Sequence, residues 1–354
     1  MVLARRSRNQ CGSFVHGGCG ESAMRPETLI VTGAEVARLL PLRACVDAVE
    51  AAFRNFGLGL IDSPVTAAVH SATGTFHIKA GIIRLGERGY FAAKMNGNFP
   101  GNPATTGLPT IQGLLLLSDA DDGRVLAVMD SAAITALRTA AATAVAARYL
   151  ARPDSSVLAV FGCGVQGRVQ LRALATVHPI QRVVACDVDF ERAADYAREM
   201  SASMSIPVTA TRDLAAAAAQ ADVCVTCTTG TDYILDERMI RPGAFIAGVG
   251  VDNSSKRELA PALLRAADKV VTDLRQQCAE IGDLRHALEA GSMTLADVHA
   301  DLADVVAGRR AGRESDDEII VFDSTGLAIQ DAAAAAVVYE NALAADAPLR
   351  IAFS

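Results

Sequence analysis

The chain lacks any apolar run approaching the roughly 20 residues that cross a bilayer, and it carries no stripe of Lys or Arg. Its net charge of −7 is spread over many small clusters, which argues against a membrane span and against nucleic acid or an anionic membrane as partner. Cysteine is sparse. Eight residues in 354, most inside apolar runs where a thiol packs as a small hydrophobe, exclude a disulfide scaffold and fit a reducing, cytoplasmic location. Cys224-Val-Thr-Cys227 has C-x-x-C spacing, but no second Cys or His pair lies nearby, so it is read as part of a buried strand. There is no internal repeat and no low-complexity linker, and the run 215–219 is one helix. The first two dozen residues have no secretory apolar core. They hold Arg5, Arg6 and Arg8 and no periodicity, so residues 1–23 are expected to be a disordered extension, with Met24 opening the folded unit.

What is present is an apolar half, 51% of residues, in a chain long enough for two domains with cores of their own. A soluble globular protein is expected. Thr32 followed by Glu35 spells a capping box, predicting a helix to about Leu40 and a second over 42–56. From Val65 to Met129 the pattern turns to short β-like runs, 75–83, 90–96, 110–118 and 125–130, the last two joined by an Asp121-Asp-Gly123 turn. They predict a largely antiparallel sheet. An Ala-rich helix over 134–150 then leads to Arg152-Pro153-Asp154, a boundary. Beyond it, strands near 157, 183, 207, 223, 244, 269 and 319 alternate with helices, the signature of a doubly wound parallel sheet. The fold class is thus α/β: a Rossmann-type domain over 151–324 beside an α+β domain made of 24–150 and 325–354. A closing helix over 328–346 should return to the first domain.

The apolar strand 157–161 runs into Gly162-Cys-Gly164-Val165-Gln166-Gly167 and then a helix. Glycines there permit a tight turn and close approach of backbone to a pyrophosphate at the helix N-terminus. A second apolar strand ends in Asp187, about 20 residues past the last glycine, where a carboxylate grips a free ribose diol. NAD is favoured. NADP is the alternative, kept open by Arg192 further along the same segment.

A nicotinamide cofactor implies hydride transfer in a cleft whose other wall is the first domain. Lys94 ends an apolar run and is read either as a solvated strand end or as a binder of carboxylate or a base. Arg138 is a lone charge in the small-residue stretch of its helix and is suited to clamp a carboxylate. Thr110 is a turn residue or a hydroxyl touching that carboxylate, and His77 and Lys79 share a strand face. Asp252, after a glycine-rich strand end, is a candidate acid/base or ammonium binder; the competing reading is an N-cap for a helix over 254–259.

With Lys94-Met-Asn-Gly97, Gly107-Leu-Pro-Thr110, Ala127-Val-Met-Asp130, Ile134-Thr-Ala-Leu-Arg-Thr-Ala-Ala141, Gly162-Cys-Gly164-Val-Gln166, Val249-Gly-Val-Asp252 and Asp323-Ser-Thr-Gly-Leu-Ala328 in place, the sequence resembles the ornithine cyclodeaminase and mu-crystallin family over about residues 30 to 345. The resemblance implies a homodimer built through the first domain and carboxylate binding by Lys94, Thr110 and Arg138. It makes Asp252 the acid/base, with Lys94 beside it in the catalytic set. Thr139, Cys227, Thr228 and Val249 join the glycine loop and Asp187 as expected cofactor contacts. The activity implied first is conversion of L-ornithine to L-proline and ammonia, with the hydride returned within one turnover. Reduction of a cyclic ketimine such as pyrroline-2-carboxylate, or oxidation of alanine and similar amino acids, is the alternative, and a cofactor-binding protein with a disabled site is the third. One departure stands out: where the family usually has an Arg after a Pro, Pro64-Val-Thr66 offers Thr66. Lys79 is expected to supply the missing cation, and His77 to reshape the pocket.

Overall fold

A computed structural model describes residues 27–345 and 348–353. The expected extension, with Met24, lies outside the described residues. The chain enters on β1 (Glu27–Val31), and Thr32 then closes the expected capping box, its N–H donating to the Glu35 carboxylate at 2.8 Å. Helices α1 (Gly33–Leu39) and α2 (Leu42–Gly57) precede β2 (Val65–His70), β3 (Thr75–Leu85) and β4 (Arg88–Asn98). After the short α3 (Asn102–Thr105) come β5 (Ile111–Asp119) and β6 (Val125–Asp130), joined by a turn in which Gly123 takes φ +77°. The Asp130 side chain then accepts from the Ala132 and Ala133 amides, so α4 (Ser131–Leu150) begins three residues before the expected Ile134.

Beyond the boundary the chain alternates as expected: β7 (Val157–Phe161), α5 (Val165–Leu174), β8 (Arg182–Cys186), α6 (Phe190–Met204), β9 (Val208–Ala210), α7 (Leu214–Ala219), β10 (Val223–Thr226) and β11 (Phe245–Gly248). It continues through α8 (Pro261–Ala266), β12 (Lys269–Thr272), α9 (Arg275–Ile281), α10 (Asp283–Glu289), β13 (Ala300–Asp301), α11 (Leu302–Val306) and β14 (Ile320–Asp323). Helix α12 (Ala328–Ala344) packs back on α2, α4, β3 and β4, and β15 (Leu349–Ala352) closes the chain.

Two sheets result. In the first, ordered β15-β1-β6-β5-β4-β3-β2, only β1 and β6 pair in parallel. The second, β13-β12-β14-β11-β10-β7-β8-β9, is parallel throughout. Strand order turns back on itself between β7 and β10, and in an open parallel sheet that switch point leaves a crevice at the carboxyl ends of the strands. Alternation of side chains across the first sheet puts Thr66, Lys79, Lys94 and Leu115 in one cross-strand row and Ala67, Ile78, Met95 and Leu114 in the next, on the opposite face. Helices α4 and α12 carry the first row's cover; most of their alanines, Ala140–Ala142 and Ala332–Ala336 among them, are buried, which lets two helices and a sheet approach closely. Among the described residues no helix is long and apolar enough to cross a membrane.

Candidate active site in the cleft between the sheets

The crevice at the switch point is a cavity of about 560 Å³ lined by Gly162, Gly164, Asp187, Cys227 and Thr228, among others. The glycines of its loop do two different jobs. Gly162 sits at φ +107°, and a Cβ there would lie 2.8 Å from the Cys227 carbonyl; at Gly167 one would lie 2.3 Å from the carbonyl of Gly162. Those two are fixed by packing of the chain on itself. At Gly164 a Cβ would meet nothing within 4 Å, so only an incoming group needs that space. Gly164 is also the N-cap of α5 and brings no side-chain cap, leaving the first amides of the helix, from Val165 onward, to an external anion. Asp187 stands at the tip of β8, where its carboxylate accepts from the Cys163 and Asp189 amides and lies 3.4 Å from Arg192. A flat dinucleotide with a pyrophosphate fits this cradle.

Val165 projects 69% exposed at the helix start, whereas the Gln166 Oε1 is buried without a partner. Cys227 Sγ donates to the Gly162 carbonyl at 3.2 Å, and the Thr228 amide to Glu258 Oε1. Val249 follows β11, its amide bonded to the Thr226 carbonyl, and Thr139 is buried on α4. Cys224 packs inside β10, as the strand reading of the C-x-x-C segment expects.

On the other side of the cleft, the row on the first sheet meets α4 and α12. Lys94 is not a solvated strand end. It lies within β4, 4% exposed, because the strand continues to Asn98 where the sequence suggests a stop near 96. Its Nζ donates to Asp331 Oδ1 at 2.7 Å and to Thr135 Oγ1 at 3.2 Å. Arg138 Nε reaches the same carboxylate oxygen at 2.9 Å, and its Nη1 donates to Gln330 Oε1. Lys79 Nζ instead donates to two backbone carbonyls, Thr325 at 2.9 Å and Gly326 at 2.6 Å. Two cations thus share one buried carboxylate, and a third stands nearby on backbone carbonyls.

The electrostatics follow. Burial pushes the Lys94 ammonium down to about 7; Asp331 opposes that, and Arg138 and Lys79 add to it. Burial also lowers Lys79, with Arg138 adding to the shift and Asp331 opposing it. Burial pushes the Asp331 carboxyl upward, but Lys94 and Arg138 outweigh it and hold the group below the usual carboxylate range. An ammonium has three N–H donors and a guanidinium five, so each cation keeps at least one to spare. Uncompensated buried charge costs several kcal/mol.

Asp252 lies in an irregular segment after β11, and no helix follows it, so the N-cap reading falls. Its side chain is 41% exposed and pairs with Lys256 Nζ at 2.8 Å. Burial of its surroundings pushes the carboxyl up, but Lys256, then His77 and Lys79, prevail and hold it ionised. His77, half-buried on β3, is kept below its ordinary value by burial, against the pull of Asp252. Thr66 donates to Gln277 Oε1 at 2.8 Å. Thr110 is not joined to the cluster: its carbonyl takes the Phe99 amide at the far end of the hairpin, five positions from Leu115, the β5 partner of Lys94. That separation is about 17 Å of extended chain.

Sequence reasoning missed Asp331, Gln330, Gln277 and the buried acids Asp273, Asp283 and Glu258. Asp331 had a usable signal, a charge in an alanine run, the same feature that marks Arg138. The others had none.

Fold and cleft together define an α/β protein with a nucleotide crevice in its parallel sheet and a buried cation cluster beside the turn that follows β14. The chain belongs to the ornithine cyclodeaminase/mu-crystallin family, which its residues 26–346 match. It is similar to the alanine dehydrogenase of Archaeoglobus fulgidus, 40% identical over 331 residues that cover 92% of this chain and 99% of that one. Among solved structures, an archaeal alanine dehydrogenase dimer with bound NAD superposes with a TM-score of 0.87 at 39% identity, covering 93% of this chain and 100% of its own. The Δ1-pyrroline-2-carboxylate reductase of Thermococcus litoralis, in complex with NADH and L-proline, gives 0.86 at 30% identity, covering 92% and 100%.

Proposed function

We propose that the chain is an NAD-dependent oxidoreductase that interconverts an α-amino acid and its α-imino acid, with the substrate carboxylate held by Lys79, Lys94 and Arg138. The observation that carries this reading is the buried group of three cations, Lys94 and Arg138 sharing Asp331 and Lys79 held by the carbonyls of the turn that follows β14. Among the described residues Asp331 is the carboxylate in direct contact with Lys94 and Arg138, and a substrate carboxylate would satisfy the spare donors. Lys79 takes the place of the cation that Thr66 does not provide. The crevice lined by Gly162, Gly164 and Asp187 would hold NAD(H), which would supply the hydride acceptor or donor. Asp252, ionised and open to the cleft, receives a proton from the substrate nitrogen and returns it. His77 faces the same space and shapes the room for the substrate side chain. The alanine dehydrogenase and pyrroline-2-carboxylate reductase likenesses support this class of reaction.

A second reading, cyclodeamination of L-ornithine to L-proline and ammonia, is favoured by Asp252 itself, since an exposed carboxylate at that position also suits a side-chain ammonium. One experiment separates the two. The protein is incubated with NAD and L-alanine, L-proline or L-ornithine while NADH absorbance, ammonia and proline are followed. Accumulating NADH marks the oxidoreductase; ammonia and proline from ornithine without accumulating NADH mark the cyclodeaminase. Asp252→Asn should cost about 10²- to 10⁴-fold in turnover, with NADH binding kept. A chain that binds NADH and turns over none of these, nor a cyclic imine with NADH, is the disabled binding protein instead.

The outer face of the first sheet bears on assembly. Val65, Val69, Ile78, Met95 and Leu114 are 38–64% exposed on it, an apolar surface of a kind that seldom faces water in a monomer. A second copy of the chain is its proposed cover, as supported by the dimeric archaeal relative. A monomeric mass in sedimentation would overturn this.

A further inference from the structure

The side chain of Gln277, on α9 of the parallel sheet's domain, is 8% exposed and has every polar atom engaged. Its Oε1 accepts from Thr66 Oγ1 at 2.8 Å, and its Nε2 donates to Thr325 Oγ1 at 2.7 Å and to the Gly326 carbonyl at 3.0 Å. That carbonyl also receives Lys79 Nζ, and Lys79 is the direct cross-strand neighbour of Thr66. The contacts therefore close a ring across the cleft: Thr66 on β2, Gln277 on α9, the 325–326 turn after β14, Lys79 on β3 and back to β2.

The turn has little freedom of its own. Asp273 accepts the Gly326 amide at 2.6 Å and the Thr325 hydroxyl at 3.2 Å. Gly326 takes φ +81°, and a Cβ there would lie 2.5 Å from Arg138 Nη1. What the turn presents to Lys79 is a pair of carbonyls, which replace water around an ammonium without neutralising it. Lys94 differs, because its partner Asp331 is itself charged.

We infer that Gln277 and Thr66 are positioning residues that seat the Lys79 ammonium for the substrate carboxylate and tie the two domains together across the cleft. This rests on the carboxylate reading proposed above. Thr66 acts by orientation: as long as its hydroxyl donates to Oε1, the amide must turn its N–H groups toward the 325–326 turn. Without that donor the amide is free to rotate, and its oxygen would then face the Gly326 carbonyl. The turn would loosen, and Lys79 with it.

Three variants of the full chain test this: Thr66→Val, which removes only the hydroxyl on an exposed edge strand, Thr66→Ser, which keeps it, and Gln277→Ala. The first readout needs no substrate. Hydrogen exchange at residues 324–327 should quicken in Thr66→Val and Gln277→Ala, about five- to tenfold for one lost hydrogen bond, and stay at the wild-type rate in Thr66→Ser. The second is kinetic: KM for the amino acid turned over should rise by about the same factor in the first and third variants, with kcat and NADH affinity nearly unchanged. Unaltered exchange in Thr66→Val overturns the ring. Faster exchange with unaltered KM overturns the seating of Lys79 and leaves the carboxylate site standing. Wild-type protein that turns over no amino or imino acid overturns the functional reading instead, and exchange alone then decides the ring.

Discussion

The two walls of the cleft are made from opposite materials. The nucleotide wall works by omission: Gly162 and Gly167 lack side chains so that strand and helix can meet, and Gly164 lacks one so that a ligand can. The wall on the first sheet works by excess, with more buried cations than carboxylates to hold them. A site built of backbone needs only the right turn, whereas a site built of buried charge needs each charge supported by groups from several elements. Damage to the first at Gly164, where only a ligand needs the space, should therefore abolish binding and leave stability alone. Damage to the second should spread into folding.

The largest effect separates the walls most cleanly. Gly164→Val places a branched side chain in space that nothing in the protein uses, so the fold should keep its Tm while NADH binding falls below detection. Retained NADH affinity by fluorescence titration would remove the crevice from the account. Asp331→Asn attacks the other wall. It leaves Lys94 and Arg138 without their shared carboxylate and should cost about 3–5 kcal/mol in denaturant unfolding, with NADH affinity nearly intact. A cost within about 0.5 kcal/mol, the range of ordinary surface substitutions, would show that the cluster is not under charge strain.

The smallest effect is one of pH. Lys94 titrates near 7 in the folded chain against an ordinary 10.5. Below pH 7 it is protonated in both folded and unfolded states and adds no slope to stability. Between about 7 and 10.5 the unfolded chain keeps a proton that the folded chain has shed, so this group's contribution to stability rises with pH. Carboxylate affinity moves the other way, and KM should climb a few-fold from pH 6.5 to 8.5 as the ammonium discharges. A KM flat over that interval would mean that Lys94 stays charged.

Much of this architecture is legible in the sequence. The capping box at Thr32 and Glu35, the Asp121–Gly123 turn and the strand alternation after residue 157 are local patterns, and the structure follows them. Strands β1, β2, β13 and β15 escaped. β1 and β15 are short and pair with each other across more than 300 residues, and β13 has only two residues, so no window of sequence contains the reason for them. The site divides in the same way. The glycine loop and Arg138 carry their own signal, but Lys94 is ambiguous until β4 is seen to continue past it. Asp331 lies 193 residues from Arg138. Thr110 ends a family motif of its own, yet the β4–β5 register carries it to the other end of the hairpin from Lys94. Gln277 is an ordinary polar residue of a short helix until Thr66 and the 325–326 turn close around it.

The sequence by itself determined the two kinds of sheet and the tight glycine turn at the end of β7, because periodicity, caps and glycine conformation act over a few neighbouring residues. Only the tertiary structure decided which charges are buried, which carboxylate they share and which donors are left free. Those properties depend on desolvation and on partners brought from distant segments, and no residue carries them alone.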